Sequence, residues 1–68
     1  MNENLINLDR LLQFHDWQYE FSDDHRVWKR GVAERDSINQ EQKRLIDSKL
    51  ATVEEVQELT DKYRPKNI

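Results

Sequence analysis

The stretch Phe14-His15-Asp16-Trp17-Gln18-Tyr19-Glu20-Phe21-Ser22-Asp23-Asp24-His25-Arg26-Val27-Trp28-Lys29-Arg30-Gly31 decides how the chain is read. It holds Phe14, Trp17, Tyr19, Phe21 and Trp28, leaving Tyr63 as the only aromatic residue outside, together with both histidines and the single glycine. Within it Trp17, Tyr19 and Phe21 alternate with Asp16, Gln18 and Glu20, which is the pattern of a half-buried strand. A hairpin would pair 17–21 with 26–30 across Ser22 to His25. The second run alternates poorly, and an isolated two-stranded hairpin is marginal in water. The helical alternative requires only that one helix end near Phe21 and another start at Ser22 or Asp23. Both are good N-caps, and the acids fall where a helix dipole favours them. The expectation is therefore helix, turn, helix.

Outward toward the N-terminus, Leu5, Leu8, Leu12 and then His15 or Tyr19 recur at helical spacing, and Ile6 and Leu11 widen the stripe. Asn2 or Asn4 can cap this helix. On the other side Val27, Trp28, Val32 and Ile38 are read as facing inward. Gly31 either admits a close neighbour or ends a short helix. From Glu34 to Arg44 only Ile38 is strongly apolar, so a kink near Asp36-Ser37 is allowed, with Ser37 and Gln40 as a capping-box restart. Leu45, Ile46 and Leu50 restore an apolar face. Thr52-Val53-Glu54-Glu55 is a second capping box that opens a last helix with Val53, Val56, Leu59 or Thr60, and Tyr63 on one side. Arg64 precedes Pro65, which biases it out of the helical region. The tail 65–68 is expected to fray. The fold class read from the chain is all-α: three helices at about 4–20, 24–48 and 53–64, in one domain forming an open bundle or helical hairpin.

Composition narrows the function. The chain has 68 residues, no cysteine, one proline, one glycine and 37% charged residues. A domain of this size buries only about 60% of what its unfolded form exposes, and neither disulfide nor thiolate metal site can reinforce it. Association with a copy of itself or with a partner is the remaining route. The formal net charge is −3, and its distribution is uneven. Glu3, Asp9, Asp16, Glu20, Asp23 and Asp24 face one base, Arg10, in the first part; Arg26, Lys29, Arg30 and Arg35 then face only Glu34. Such a division suits a protein partner or antiparallel self-association better than a uniform nucleic-acid surface. No apolar run approaches the roughly 18–20 residues of a membrane span. No basic segment followed by an apolar core begins the chain, so no signal peptide is expected, and the expected setting is cytoplasmic.

Chemistry is sparse. His15-Asp16 and Asp24-His25 point their members to different helix faces, and the composite His15, Asp16, Asp23, His25 matches no established zinc or calcium spacing. Surface histidines and solvated acids account for the same letters. No cofactor, metal or catalytic residue is assigned, since a short helical chain cannot enclose a typical pocket of about 300–1,000 Å³ by itself. Arg26, Lys29, Arg30 and Arg35 beside Trp28 could neutralise phosphates and stack a base, but the acids of 16–24 repel the same backbone. Phe14 and one tryptophan are read as core against Leu8, Leu12 and Val32. The other large rings have the composition of a recognition patch. The residues assigned to partner binding are Trp17, Tyr19, Phe21 and Trp28 as anchors, Asp16, Glu20, Asp23 and Asp24 as negative charge, and Arg26, Lys29 and Arg30 as register.

The segment Asp16 to Gly31 resembles a motif of short uncharacterised accessory proteins of tailed bacteriophages, in which an aromatic-acidic turn precedes a basic, tryptophan-containing helix. It covers about a quarter of the chain. The resemblance implies a phage-encoded accessory protein that binds a host enzyme or a defence complex, and it supplies no functional residues. The expected function is thus a non-enzymatic protein-interaction module, an inhibitor or modulator acting by steric occlusion. The alternatives are a small nucleic-acid-associated protein using residues 26–35 and a structural homo-oligomer.

Overall fold

The structure is a computed structural model that describes residues 2–65; the expectation for 66–68 lies outside the described residues. A 3₁₀ turn at Glu3–Leu5 leads into α1 (Ile6–Phe14). A second 3₁₀ turn, Trp17–Phe21, follows, then α2 (His25–Asp47) and α3 (Val53–Tyr63). The chain is all-α, as its periodicity indicates, and no strand occurs among the described residues.

The first helix stops earlier than its expected end near residue 20. His15 and Asp16 are extended, and the Asp16 carboxylate accepts the Gln18 amide at 3.0 Å. A short acidic side chain that satisfies the backbone two residues on offers it a turn in place of another helical residue. The break creates the Trp17–Phe21 turn, which packs across α2.

Local capping then sets the other boundaries. Ser22 Oγ accepts the Asp24 amide, and the Asp24 carboxylate accepts the Arg26 amide, so α2 starts at His25. No break occurs at Asp36-Ser37. The Ser37 hydroxyl donates to the Ala33 carbonyl within a continuous helix, and the Gln40 amide donates to Asp36 one turn back. At the far end the Leu50 amide reaches the Leu45 carbonyl and the Lys49 amide reaches Ile46, with Lys49 at φ 58°. This is a Schellman stop with lysine in the position that usually holds glycine. The Thr52 capping box forms in both directions: the Glu55 amide donates to Thr52 Oγ1, and the Thr52 amide donates to the Glu55 carboxylate.

The core collects Leu5, Leu8 and Leu12 from the first helix and the turn before it, Ile38 and Leu45 from α2, and Ala51, Val56 and Leu59 from the C-terminal part. Trp17 closes it from the crossing turn. Leu8, Leu12, Ile38 and Leu45 are fully buried. Val53, expected on the inward side of the last helix, is instead exposed at the first residue of α3, and Val56, Leu59 and Thr60 form its buried side. Polar ties complete the packing. Asn7 donates to Glu41 at 2.7 Å, Gln42 to Thr60 at 2.7 Å, and Tyr63 to Asp9 at 2.6 Å. No helix among the described residues is long and apolar enough to cross a membrane.

Candidate functional site

The crossing turn determines which rings are shared with solvent. A 3₁₀ helix has three residues per turn, so residues two apart project about 240° from one another. Trp17, Tyr19 and Phe21 therefore point three ways instead of forming one face. Trp17 points inward and is 9% exposed, so it belongs to the core and not to an exposed set of anchors. Its ring meets His15 edge-on with centroids 5.0 Å apart. Tyr19 lies against α2 and is half-buried, with the Arg30 guanidinium 5.7 Å from its ring centre. Phe21 is 66% exposed.

Gly31 is the reason the turn can lie so close. A Cβ placed there would stand 2.6 Å from the Tyr19 Cβ and 2.9 Å from the Tyr19 carbonyl carbon. Of its two sequence readings, the close neighbour is the one realised; the helix runs on for sixteen residues past it, to Asp47.

Two further expectations about the rings are corrected. Phe14 is 75% exposed and not core, because α1 ends there and its last side chain has no helix left to pack under. Trp28 and Val32 do not face inward; they are 42% and 41% exposed. The inward line of α2 instead passes through Gly31, Ile38, Glu41 and Leu45. Trp28 stacks on His25, centroids 5.6 Å apart, and lies one turn before Val32. At 100° per residue it shares a side of α2 with Arg35 and stands about 160° round from both Arg26 and Arg30. Arg26 and Arg30 thus lie on a different face from Trp28, which Arg35 shares.

The acids divide as well. Asp16 and Asp24 each commit an oxygen to capping, Asp23 is exposed, and Glu20 turns toward His15, 3.8 Å away. Arg26 approaches Asp24 only to 3.8 Å, Lys29 is exposed, and Arg30 pairs with Glu34 at 3.5 Å.

His15 is buried, in line with its place at the end of the Leu5-Leu8-Leu12 stripe and contrary to its reading as a surface histidine. Its Nδ1 lies 3.0 Å from the Glu34 carboxylate, which can only accept, so Nδ1 carries the proton. Its Nε2 is buried without a hydrogen-bond partner. Together with Trp17 it packs the break between α1 and the crossing turn, while His25 sits outside against Trp28. Among the described residues no three His, Asp or Glu side chains are arranged to hold a metal ion.

Sequence reasoning missed Arg35 and Arg64 as neighbours. Their guanidinium carbons stand 4.8 and 5.9 Å from the Trp17 ring centre. They lie 29 positions apart in the sequence, and nothing local links them. An open cleft of about 300 Å³ lies here, lined by Trp17, Glu20, Phe21, Arg35, Arg64 and Pro65. A separate groove on the opposite side of α2 is lined by Phe14, Arg10, Leu11, His15, Glu34 and Ser37. Phe14 and Phe21 therefore belong to different surfaces. Comparison with protein-family models, with curated proteins and with solved structures finds no match for this chain.

Proposed function

We propose that this chain is a non-enzymatic protein-binding module whose contact surface is the side of α2 bearing Trp28 and Val32, extended by Phe21 from the crossing turn. One observation carries the reading. The core closes on Leu8, Leu12, Ile38 and Leu45, yet Phe21 and Trp28 stay 66% and 42% exposed in a chain with few apolar residues. Large aromatic side chains rimmed by charge are the residues that dominate binding energy at protein interfaces. Exposed Asp23 and Lys29 would set orientation and encounter rate rather than affinity. In the setting implied by the phage resemblance, the partner is a host protein, and the module acts by covering a surface that protein needs.

The experiment is capture from bacterial lysate with the tagged chain and with a Phe21→Ala/Trp28→Ala variant. Anchors of this kind contribute about 2 kcal/mol or more each, so the double variant should stay folded and lose the captured protein. Equal capture by both would remove this aromatic ledge of Phe21, Trp28 and Val32 from the interface. Sedimentation at several concentrations reports whether the partner is instead a second copy.

A further inference from the structure

We propose that the cleft between the crossing turn and the end of α3 is a carboxylate-binding site, in which Arg35 and Arg64 grip an acidic side chain of a partner peptide segment. This rests on and deepens the protein-binding reading: the cleft adjoins that surface through Phe21 and Arg35, and the paired arginines name the chemistry of the partner segment that would enter it. Its test does not depend on which protein the ledge meets.

Arg30 and Arg44 each find a carboxylate on their own helix, Glu34 at 3.5 Å and Glu41 at 2.6 Å. Arg35 and Arg64 have no carboxylate within ion-pair distance among the described residues, although both guanidinium groups are drawn to the same indole. Cation–π attraction explains one cation over a ring. A second cation at that ring is opposed by the first, and an anion between them relieves the opposition. Glu20 lines the same cleft, but its carboxylate lies toward His15.

Shape and surroundings select the ligand. Trp17 forms an apolar, nearly buried floor, which strengthens any charge interaction above it. A guanidinium presents a planar fork that matches a carboxylate in two hydrogen bonds. Phe21 and Pro65 supply an apolar wall for the residue next to that carboxylate. A phosphate would match the fork equally well. A nucleic-acid strand, however, carries charge at every step, and Glu20 in the crossing turn, with Asp16 and Asp23 flanking that turn, would repel such a backbone. A single acidic side chain beside an apolar one meets only Glu20 in the cleft, and that carboxylate lies toward His15.

The site is tested by NMR on the intact chain, following the indole N–H signal of Trp17 and using Trp28→Phe to assign it. The probe is an end-blocked tetrapeptide of alternating glutamate and leucine, set against its glutamine counterpart. The glutamate peptide should shift the Trp17 signal saturably, with the glutamine peptide at least tenfold weaker. A hydrogen bond to a charged group is worth about 1.5–3 kcal/mol, or roughly ten- to a hundredfold in affinity. Arg64→Gln, at an exposed position, should therefore weaken binding about tenfold or more. Arg35→Lys should weaken it too, because it keeps the charge and loses the fork, while Glu20→Gln should tighten it. Four results would overturn the assignment: no saturable shift, equal binding of the glutamine peptide, indifference to both arginine changes, or tighter binding of inorganic phosphate or a short oligonucleotide than of the glutamate peptide. The last of these would make it a phosphate site.

Discussion

At the scale of single residues, Gly31 and Lys49 stand where their side chains matter in opposite ways. Gly31 costs α2 up to about 1 kcal/mol of helix propensity relative to alanine. Yet its missing Cβ leaves room for the Tyr19 backbone, which a Cβ would meet at 2.9 Å. Forcing atoms into a packed contact costs typically 1–3 kcal/mol, more than the propensity returned. Gly31→Ala should therefore destabilise the chain, by about 1 kcal/mol net, and lower its melting temperature by several degrees. A rise in melting temperature would show that the crossing turn lifts away without cost. Lys49 sits at φ 58°, where a side chain is a burden. It is retained at the one point where two carbonyls of α2 need amides from the chain beyond.

At the scale of elements, the polar ties between helices make stability depend on pH at both ends of the range. The Arg44 guanidinium, helped by Asn7, holds the Glu41 carboxyl below its ordinary range. A carboxyl depressed in the folded state contributes stability that is present above its unfolded value and lost as pH falls through the folded one. Glu41→Gln should accordingly flatten the acid side of a stability–pH curve. The Asp9 carboxylate pushes the Tyr63 hydroxyl up. That contribution is present below the unfolded value and lost as pH rises through the raised one, so Tyr63→Phe should flatten the alkaline side. Chemical denaturation across the pH range checks both. The Thr52 cap was legible in the sequence because capping is local: the donor lies three residues from the acceptor. The cap of α2 is read from the sequence at Ser22 or Asp23 and falls instead on the adjacent Asp24. All three are good cap residues, and only the carboxylate that meets the Arg26 amide decides among them. The stop at Phe14 was not legible. Asp16 reads equally as a solvated helical acid, and only the competing turn it makes with Gln18 distinguishes the two.

At the scale of the whole molecule, the two tryptophans have opposite roles. A 68-residue domain has a total stability of about 3–10 kcal/mol, and removing a buried tryptophan costs about 3–5 kcal/mol. Trp17→Ala should therefore unfold much of the population, whereas Trp28→Ala should leave the helical circular dichroism nearly unchanged. Loss of structure in the second and not the first would reverse the assignment of core and surface. The three-helix plan was readable because Leu5, Leu8, Leu12, Ile38, Leu45, Val56 and Leu59 keep helical spacing over long runs. The Arg35–Trp17–Arg64 meeting was not, since it depends on where α3 lands beside the crossing turn, and no spacing encodes that.

The two asparagines that open the chain both donate to one acceptor, the Leu50 carbonyl, at 2.9 and 3.1 Å. That carbonyl lies in the turn between α2 and α3, 48 positions from Asn2. The first turn and this distant bend are thereby fastened into one cooperative unit. Their amides should exchange with solvent through a common opening event, and fraying at the start of the chain is felt first at the bend.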